Sequence, residues 1–154
     1  MKEKSKIYVA GHTGMVGSAI CAELEQSGFK NIAARTSAEL DLRNSQDVEK
    51  FFSAEKPDYV FLAAAKVGGI NINSKEPASF LYDNLMISAN VIHLSYLHSV
   101  KKLCYLGSSC IYPKLCPQPI KEEYFMMGPL EKTNDAYAVA KIAGIKMCQS
   151  FNDQ

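Results

Sequence analysis

The sequence predicts an α/β fold of the doubly wound, Rossmann-like kind, with a parallel sheet of about four strands and flanking helices. Three observations predict it. Short apolar runs alternate with longer segments of helical periodicity, and a glycine-rich turn joins the first run to the first helix. The chain has 154 residues, 47% of them hydrophobic, which is enough for the core of one domain. We expect the sheet to be incomplete, because a full Rossmann domain has about six strands.

The first β-α-β unit is indicated by three segments in succession. Residues 6–10, "KIYVA", form an apolar run typical of a strand buried on both faces of a parallel sheet. Apolar residues then recur at helical spacing from Met15 to Gln26, and Gly28 follows as a helix stop. Residues 31–35, "NIAAR", form a weaker second strand. The crossover between the two strands is expected to be right-handed.

A second helix and a third strand continue the alternation. Asn44 or Ser45 is a suitable N-cap for a helix that reaches about Glu55. Residues 59–65, "YVFLAAA", predict a third buried strand, and the paired glycines of residues 66–72, "KVGGINI", predict a loop.

The rest of the chain predicts a long helix, a strand, a loop and a final helix. Pro77 opens a helix that reaches about His98 and carries a wide apolar stripe. Residues 102–109, "KLCYLGSS", form the fourth strand, and a long proline-rich loop follows them. Asn134 or Asp135 then caps the last helix.

Composition excludes several classes of function. The formal net charge is +1, with 17 basic and 16 acidic residues, so there is no electrostatic footprint for nucleic acid or a membrane surface. No apolar stretch is long enough to span a membrane and no signal-peptide core follows the N-terminus, which predicts a cytoplasmic protein. The five cysteines contain no C-x-x-C pair and no metal spacing, so we expect reduced thiols and no metal site. A small-molecule ligand fits this composition best.

The glycine-rich turn "GHTGMVG" is the first candidate site. Its spacing, G-x-x-G-x-x-G, differs by one residue from the usual dinucleotide fingerprint, but it lies between a strand and a helix as that fingerprint does. Glycines there let the backbone approach a pyrophosphate, which the helix N-terminus then binds. The alternative is a turn that merely packs helix on strand. The candidate cofactor-binding residues are Gly11, His12, Thr13, Gly14, Met15, Val16 and Gly17.

The end of the second strand bears on the choice of cofactor. An acid there binds the ribose 2′-hydroxyl of NAD, whereas an arginine accepts the 2′-phosphate of NADP. Arg35 occupies this place, which favours NADP over NAD, although a strand-end arginine can also be simply solvated. Asp41 is a candidate acceptor for the adenine amino group, or equally a solvated turn residue.

The ends of the third and fourth strands supply further candidates, because ligands bind at the carboxyl edge of open α/β sheets. The candidates are Ala63, Ala64 and Ala65 after the third strand, and Leu106, Gly107, Ser108, Ser109 and Cys110 after the fourth. The alternative for the group after the fourth strand is a set of turn residues with an unreactive thiol.

Tyr137 and Lys141 lie four residues apart in "YAVAK", so they share one face of the last helix. A cation beside a phenol favours an acid–base role, since an unperturbed phenol has a pKa near 10. Any helix can also carry such a pair by chance.

Taken together, the segments "AGHTGMVGSAI", "LAAAKVGGI", "LGSSCIYPK" and "YAVAKIAGIKMC" resemble the extended short-chain dehydrogenase/reductase family. Within that family they are most similar to the epimerase/reductases that act on GDP-4-keto-6-deoxymannose. The resemblance runs along essentially the whole chain.

The resemblance implies epimerisation at C3 and C5 of this GDP-sugar, followed by NADPH reduction of the C4 ketone. Tyr137 would donate a proton to the carbonyl oxygen, and Lys141 would bind the nicotinamide ribose and lower the pKa of the phenol. Ser108 would hydrogen-bond the ketone, and Cys110 would act as the base of the epimerisations.

Two departures from the family qualify this interpretation. Thr13 and Ser37 stand where many relatives have basic residues that contact the 2′-phosphate, which leaves the preference for NADP over NAD less certain. The family is also about twice as long, and its second half supplies the GDP-sugar pocket and a histidine acid. We therefore expect residues 1–154 to be an NADP-binding domain without its substrate domain, inactive alone. It would form a homodimer or associate with a full-length or complementary chain. The alternatives are another NAD(P)-dependent nucleotide-sugar epimerase/dehydratase, or a non-catalytic product that binds only cofactor or a partner.

Overall fold

The computed structural model covers residues 1–154 and describes every side chain except that of Ile70. The chain divides into two compact units. The first contains Met1–Ala65 and Met86–Leu106, and the second contains Lys66–Leu85 and Gly107–Gln154.

The first unit is built on a parallel sheet of four strands in the order β2-β1-β3-β4. The strands are β1 (Ile7–Ala10), β2 (Ile32–Ala33), β3 (Tyr59–Leu62) and β4 (Lys102–Tyr105). Ile7 is in register with Ile32 on one side and with Tyr59 on the other. The chain therefore leaves β1 in one direction to form β2 and returns to its other side to form β3, which confirms the predicted α/β topology.

Helices cover both faces of this sheet, as the alternation of side chains along β1 requires. Ile7 and Val9 pack with Leu24 of α1 (Met15–Gln26) in one buried cluster. On the opposite face Tyr8 contacts two phenylalanines of α2 (Ser45–Glu55), with ring centroids 4.5 and 6.0 Å away. Each helix shields one face of β1, so the sheet is doubly wound.

The ends of these helices follow the predicted capping residues. The Asn44 side chain accepts hydrogen bonds from the backbone N–H groups of Gln46 and Asp47, so Asn44 rather than Ser45 is the N-cap of α2. Gly28 follows α1 with φ +85°, a conformation that glycine adopts without strain, and its N–H donates to Glu25 O at 3.0 Å. The chain turns sharply there into β2.

The second unit is helical. It contains α3 (Ile70–Lys75), the first part of α4 (Pro77–Leu97), two 3-10 turns at Ser109–Ile111 and Glu122–Tyr124, and α5 (Asp135–Asp153). None of the described helices is long and apolar enough to cross a membrane.

The long proline-rich loop of this unit is closed at its base. Lys114 N–H donates to Pro129 O at 2.8 Å, and Lys114 Nζ pairs with Glu131 at 2.7 Å. The Lys146 ammonium of α5 lies 5.5 Å from the centre of the Phe125 ring. The loop therefore has fixed ends and a contact with α5.

Several predicted boundaries were wrong. Residues 66–72 were expected to be a loop, but α3 begins within them, with Gly69 as its N-cap. The third and fourth strands end at Leu62 and Tyr105, before the small residues predicted to belong to them, and the second strand keeps only two residues. The shortened ends place these small residues beyond the ladder, at the carboxyl edge of the sheet.

Candidate active site

The glycine-rich turn lies at the carboxyl end of β1 and is folded tightly. Gly14 N–H donates to Gly11 O at 3.0 Å, and Gly11 has φ +86°. A Cβ at Gly17 would lie 2.1 Å from Gly11 O, and a Cβ at Gly11 would lie 2.6 Å from Ala64 N. Glycine is therefore required at these two places for α1 and the chain after β3 to approach the turn.

The same turn leaves the N-terminus of α1 open to an anion. The N-cap is Gly14, which makes no side-chain capping bond, and the first turn of the helix contains no acid. Met15 is 88% exposed, and His12 Nδ1 is buried without a hydrogen-bond partner among the described atoms. The first N–H groups of a helix have no intrahelical acceptor, so this turn fits the pyrophosphate of a dinucleotide such as NADP.

The carboxyl ends of β1 and β3 meet at the point where the strand order reverses. Ala63 N–H donates to Ala10 O at 2.9 Å, and Ala64 packs against Gly11. On the next strand, Leu106 N–H reaches Leu62 O at 3.3 Å. Ligands of open α/β sheets bind at such a switch point. The structure therefore brings Ala63 and Ala64 to the glycine turn.

Arg35 and Asp41, the two charged candidates after β2, each pair with another side chain. Arg35 NH2 pairs with Glu55 at 2.8 Å, and its NH1 donates to Ala34 O at 2.8 Å. Asp41 accepts from the Arg43 guanidinium at distances of 2.8 to 3.2 Å, which lowers the pKa of the Asp41 carboxyl. Both side chains are bound by partners within the chain, partners that local sequence pattern did not reveal.

The second unit gathers the four candidate catalytic residues. Ser108 is the N-cap of the first 3-10 turn, and its Oγ accepts from the Cys110 thiol at 3.2 Å and from Cys110 N–H at 3.5 Å. Helix α5 packs against this turn, and Lys141 Nζ lies 5.8 Å from the centre of the Tyr137 ring. Ser109, within the turn, lies between Ser108 and Cys110 in the chain.

Burial governs the electrostatics of this cluster. Lys141 is only 3% exposed, and burial lowers its pKa to about 8, an effect that nearby Cys110 partly opposes. Burial also raises the pKa of the Tyr137 phenol, and Cys110 raises it further. Burial and Cys110 together therefore leave the pKa of the phenol above its ordinary value, and a lowering by Lys141 stays a prediction.

A cavity of about 320 Å³ adjoins Tyr137 within the second unit. Pro77 and Phe80 of α4 give it an apolar wall, while the remaining lining is mostly polar. Asn73 Nδ2 donates to Asn134 Oδ1 at 2.6 Å at this site. Sequence reasoning missed the cavity, whose lining residues are Asn73, Ser74, Pro77, Phe80, Lys132, Thr133, Asn134, Asp135, Ala136 and Tyr137.

These features define a dinucleotide-binding α/β protein with a Ser, Cys, Tyr and Lys cluster. Residues 7–154 match the model of the NAD dependent epimerase/dehydratase family, and the chain belongs to that family.

The similarity extends to particular enzymes. The chain is 59% identical to GDP-L-fucose synthase 1 of Arabidopsis thaliana over 100% of its length and 48% of that protein. It is 54% identical to the GDP-L-fucose synthase of Escherichia coli strain K12 over 98% of its length and 47% of that protein. The chain therefore spans about half the length of the curated relatives it matches.

Solved structures are similar to this chain along almost its whole length. The GDP-mannoheptose C4 reductase of Campylobacter jejuni with NADP bound matches with a TM-score of 0.96 at 49% identity, covering 100% of this chain and 49% of that one. A GDP-L-fucose synthetase of Naegleria fowleri bound to NADP matches with a TM-score of 0.90 at 30% identity, covering 99% and 49%. The Rossmann-like fold is thereby confirmed.

Proposed function

We propose that residues 1–154 are the NADP-binding and catalytic part of an epimerase/reductase of the GDP-L-fucose synthase type. The observation that carries the proposal is the cluster of Ser108, Cys110, Tyr137 and Lys141, which match residue by residue the groups that the family resemblance implies. The substrate would be GDP-4-keto-6-deoxymannose, and the product GDP-L-fucose.

Each residue of the cluster has a role in this chemistry. NADPH, when bound, supplies a hydride to the C4 carbonyl carbon. The Tyr137 hydroxyl donates the matching proton to the carbonyl oxygen, which Ser108 hydrogen-bonds. An ordinary phenol is already protonated at neutral pH, and burial raises the pKa of Tyr137 further, so its hydroxyl carries a proton to donate. Cys110 would remove the protons next to the ketone during the epimerisations, and the histidine acid in the second half of the family's fold would return a proton on the opposite face.

The cofactor would be held mainly by residues of the first unit. The N–H groups at the start of α1 fit the pyrophosphate, with Gly14 as the open N-cap. The residues that follow β3 and β4, from Ala63 to Ala65 and from Leu106 to Ser109, are proposed to contact the nucleotide. Lys141 is proposed to bind the nicotinamide ribose.

Cofactor binding is tested by titrating NADPH fluorescence against the purified chain, where we expect saturable binding. Met15→Glu places a carboxylate in the first turn of α1 and is expected to weaken NADPH binding at least tenfold, because it repels the pyrophosphate. Met15→Gln is the matched neutral control, and neither change should affect folding, since Met15 is 88% exposed. Absence of saturable binding to the unaltered chain would leave only the non-catalytic association.

Turnover is a separate claim. We expect no GDP-L-fucose from the isolated chain with substrate and NADPH, because the relatives are about twice as long as residues 1–154. Adding a chain with the second half of a relative should restore product, and Tyr137→Phe should abolish it. Product from the purified chain alone would overturn the expectation of inactivity. Identification of a different sugar nucleotide as product would favour a sibling nucleotide-sugar epimerase or dehydratase.

We further propose that the chain works in the cytoplasm and associates either with itself or with a complementary chain. Tyr96 and Leu97 near the end of α4 are 43% and 56% exposed, which supports a contact surface there. Light scattering after size-exclusion chromatography, with and without the second-half chain, measures this association. A monomer under both conditions would contradict it.

A further inference from the structure

We propose that Glu55 is a positioning residue for cofactor selection. Because Glu55 pairs with Arg35, it weakens binding of the NADPH 2′-phosphate by the first unit. The first unit therefore discriminates less between NADPH and NADH. This inference rests on the proposed binding of NADPH.

The contacts of Arg35 show how it is held. Its guanidinium pairs with Glu55 Oε1 at 2.8 Å, donates to Ala34 O at 2.8 Å, and lies 5.6 Å from the centre of the Phe51 ring. The Arg35 side chain is 39% exposed, so the pair is accessible to solvent and can exchange partners. A salt bridge, a carbonyl and an aromatic ring thus fix one orientation of this arginine.

The direction of that orientation matters. Glu55 is the last residue of α2, and its other oxygen pairs with Lys6 at 2.9 Å, immediately before β1 begins. Glu55 therefore lies towards the amino edge of the sheet, whereas the glycine turn follows β1 at the carboxyl edge. Glu55 therefore holds Arg35 from the amino-edge side, whereas an arginine after β2 accepts a 2′-phosphate at the carboxyl edge.

Glu55 itself is well anchored. Its side chain is 23% exposed, and its hydrogen bond with Lys6 is the main reason that its pKa is lowered. Because Lys6 retains Glu55 at the amino edge, the carboxylate cannot follow Arg35 towards a cofactor. The 2′-phosphate of NADPH would therefore compete with Glu55 for the guanidinium, whereas NADH has no such phosphate and does not compete.

The experiment measures dissociation constants of NADPH and NADH for the unaltered chain, Glu55→Gln, Arg35→Gln and the double variant. Glu55→Gln should bind NADPH about fivefold tighter, the scale of a partly exposed ion pair, with NADH binding unchanged within twofold. Arg35→Gln should abolish any preference for NADPH, and Glu55→Gln should then add nothing. Glu49→Gln is the matched control, since Glu49 lies on the same helix and pairs with His98 instead, at 2.9 Å.

An NMR measurement on the unaltered chain covers the case in which the variants fold poorly. The Nε–H resonance of Arg35 should shift on addition of NADPH but not of NADH. Equal effects of Glu55→Gln on both cofactors, weaker NADPH binding, or an Arg35 resonance indifferent to NADPH would each overturn the inference while leaving the proposed function intact. Absence of binding by either cofactor would overturn both.

Discussion

Replacing Lys141 by Met should stabilise the chain at neutral pH while removing its chemistry. Lys141 is 3% exposed, and burial lowers its pKa from 10.5 to about 8. At pH 7 the ammonium is charged in both the folded and the unfolded chain, so the folded state carries the full cost of burying it. A shift of this size corresponds to roughly 3 kcal/mol, at about 1.4 kcal/mol per pH unit.

The sign of the pH dependence follows from proton binding. Between the folded pKa of about 8 and the unfolded value of 10.5, the unfolded chain retains the proton that the folded chain has released. Stability of the unaltered chain therefore rises with pH in that window and is flat with respect to this group below it. From pH 7 to 9.5 the gain is about 2 kcal/mol, and Lys141→Met lacks it.

The assay is urea unfolding of both chains at pH 7 and pH 9.5. The free energy of unfolding of Lys141→Met minus that of the unaltered chain should fall by about 2 kcal/mol between the two pH values, whatever the packing difference between Lys and Met. Other titrating groups cancel in this comparison. Lys146→Met, at an exposed position of the same helix, controls for loss of a lysine and should change stability by less than about 1 kcal/mol. A difference that does not vary with pH would refute a buried, strained lysine.

Three further outcomes test the site and its support. Gly17→Ala should destabilise the chain by about 1–3 kcal/mol in urea unfolding, because its Cβ would lie 2.1 Å from a backbone oxygen. The control Gly107→Ala, whose Cβ would have its nearest contact at 3.6 Å, should cost less than about 0.5 kcal/mol. Equal effects of the two substitutions would contradict the close packing at Gly17. Cys110→Ser should lower the pKa of Tyr137, since Cys110 is one cause of its raised value. The pKa is measured by ultraviolet titration of the phenolate, with Tyr137→Phe identifying the contribution of Tyr137. An unchanged titration would show that Cys110 does not influence Tyr137. Asn44→Ala should cost about 0.5–2 kcal/mol through loss of the α2 cap. Asn44→Ser, which can still cap but places no carboxylate beside Asp47, should restore most of it. A loss that Ser does not restore would rule out capping as the cause.

Local pattern predicted those elements whose signals are local. The bounds of α1 follow from its apolar spacing and from Gly28, and the start of α2 from Asn44, because periodicity and capping act within a few residues. The third and fourth strands were predicted too long, since small residues after an apolar run look like strand in sequence, although only the first of them, Ala63 and Leu106, hydrogen-bond to a neighbouring strand. Helix α3 was missed because glycines indicate loops, yet Gly69 serves as an N-cap.

The candidate site also has parts that the sequence pattern predicted and parts that it missed. Sequence spacing put Tyr137 and Lys141 on one helix, and the structure brings Cys110 near both of them. The sequence pattern could not indicate the pairing of Arg35 with Glu55, because the two residues are 20 positions apart and their contact depends on how α2 lies against β2. The cavity beside Tyr137 likewise needs segments from three parts of the chain, so no single motif encodes it.

The chemistry of the Tyr-x-x-x-Lys motif therefore depends on more than its spacing. A spacing of four positions between a phenol and an ammonium fixes only that they share a helical face. What makes Lys141 unusual is burial, and the buried residues of α5 around it are small, namely Ala138, Ala140 and Gly144. Small residues let a helix approach its neighbours closely, which excludes water from a long side chain on the same face. The acid–base behaviour of the motif therefore depends on the packing of α5, which buries Lys141, as well as on the spacing of the two residues.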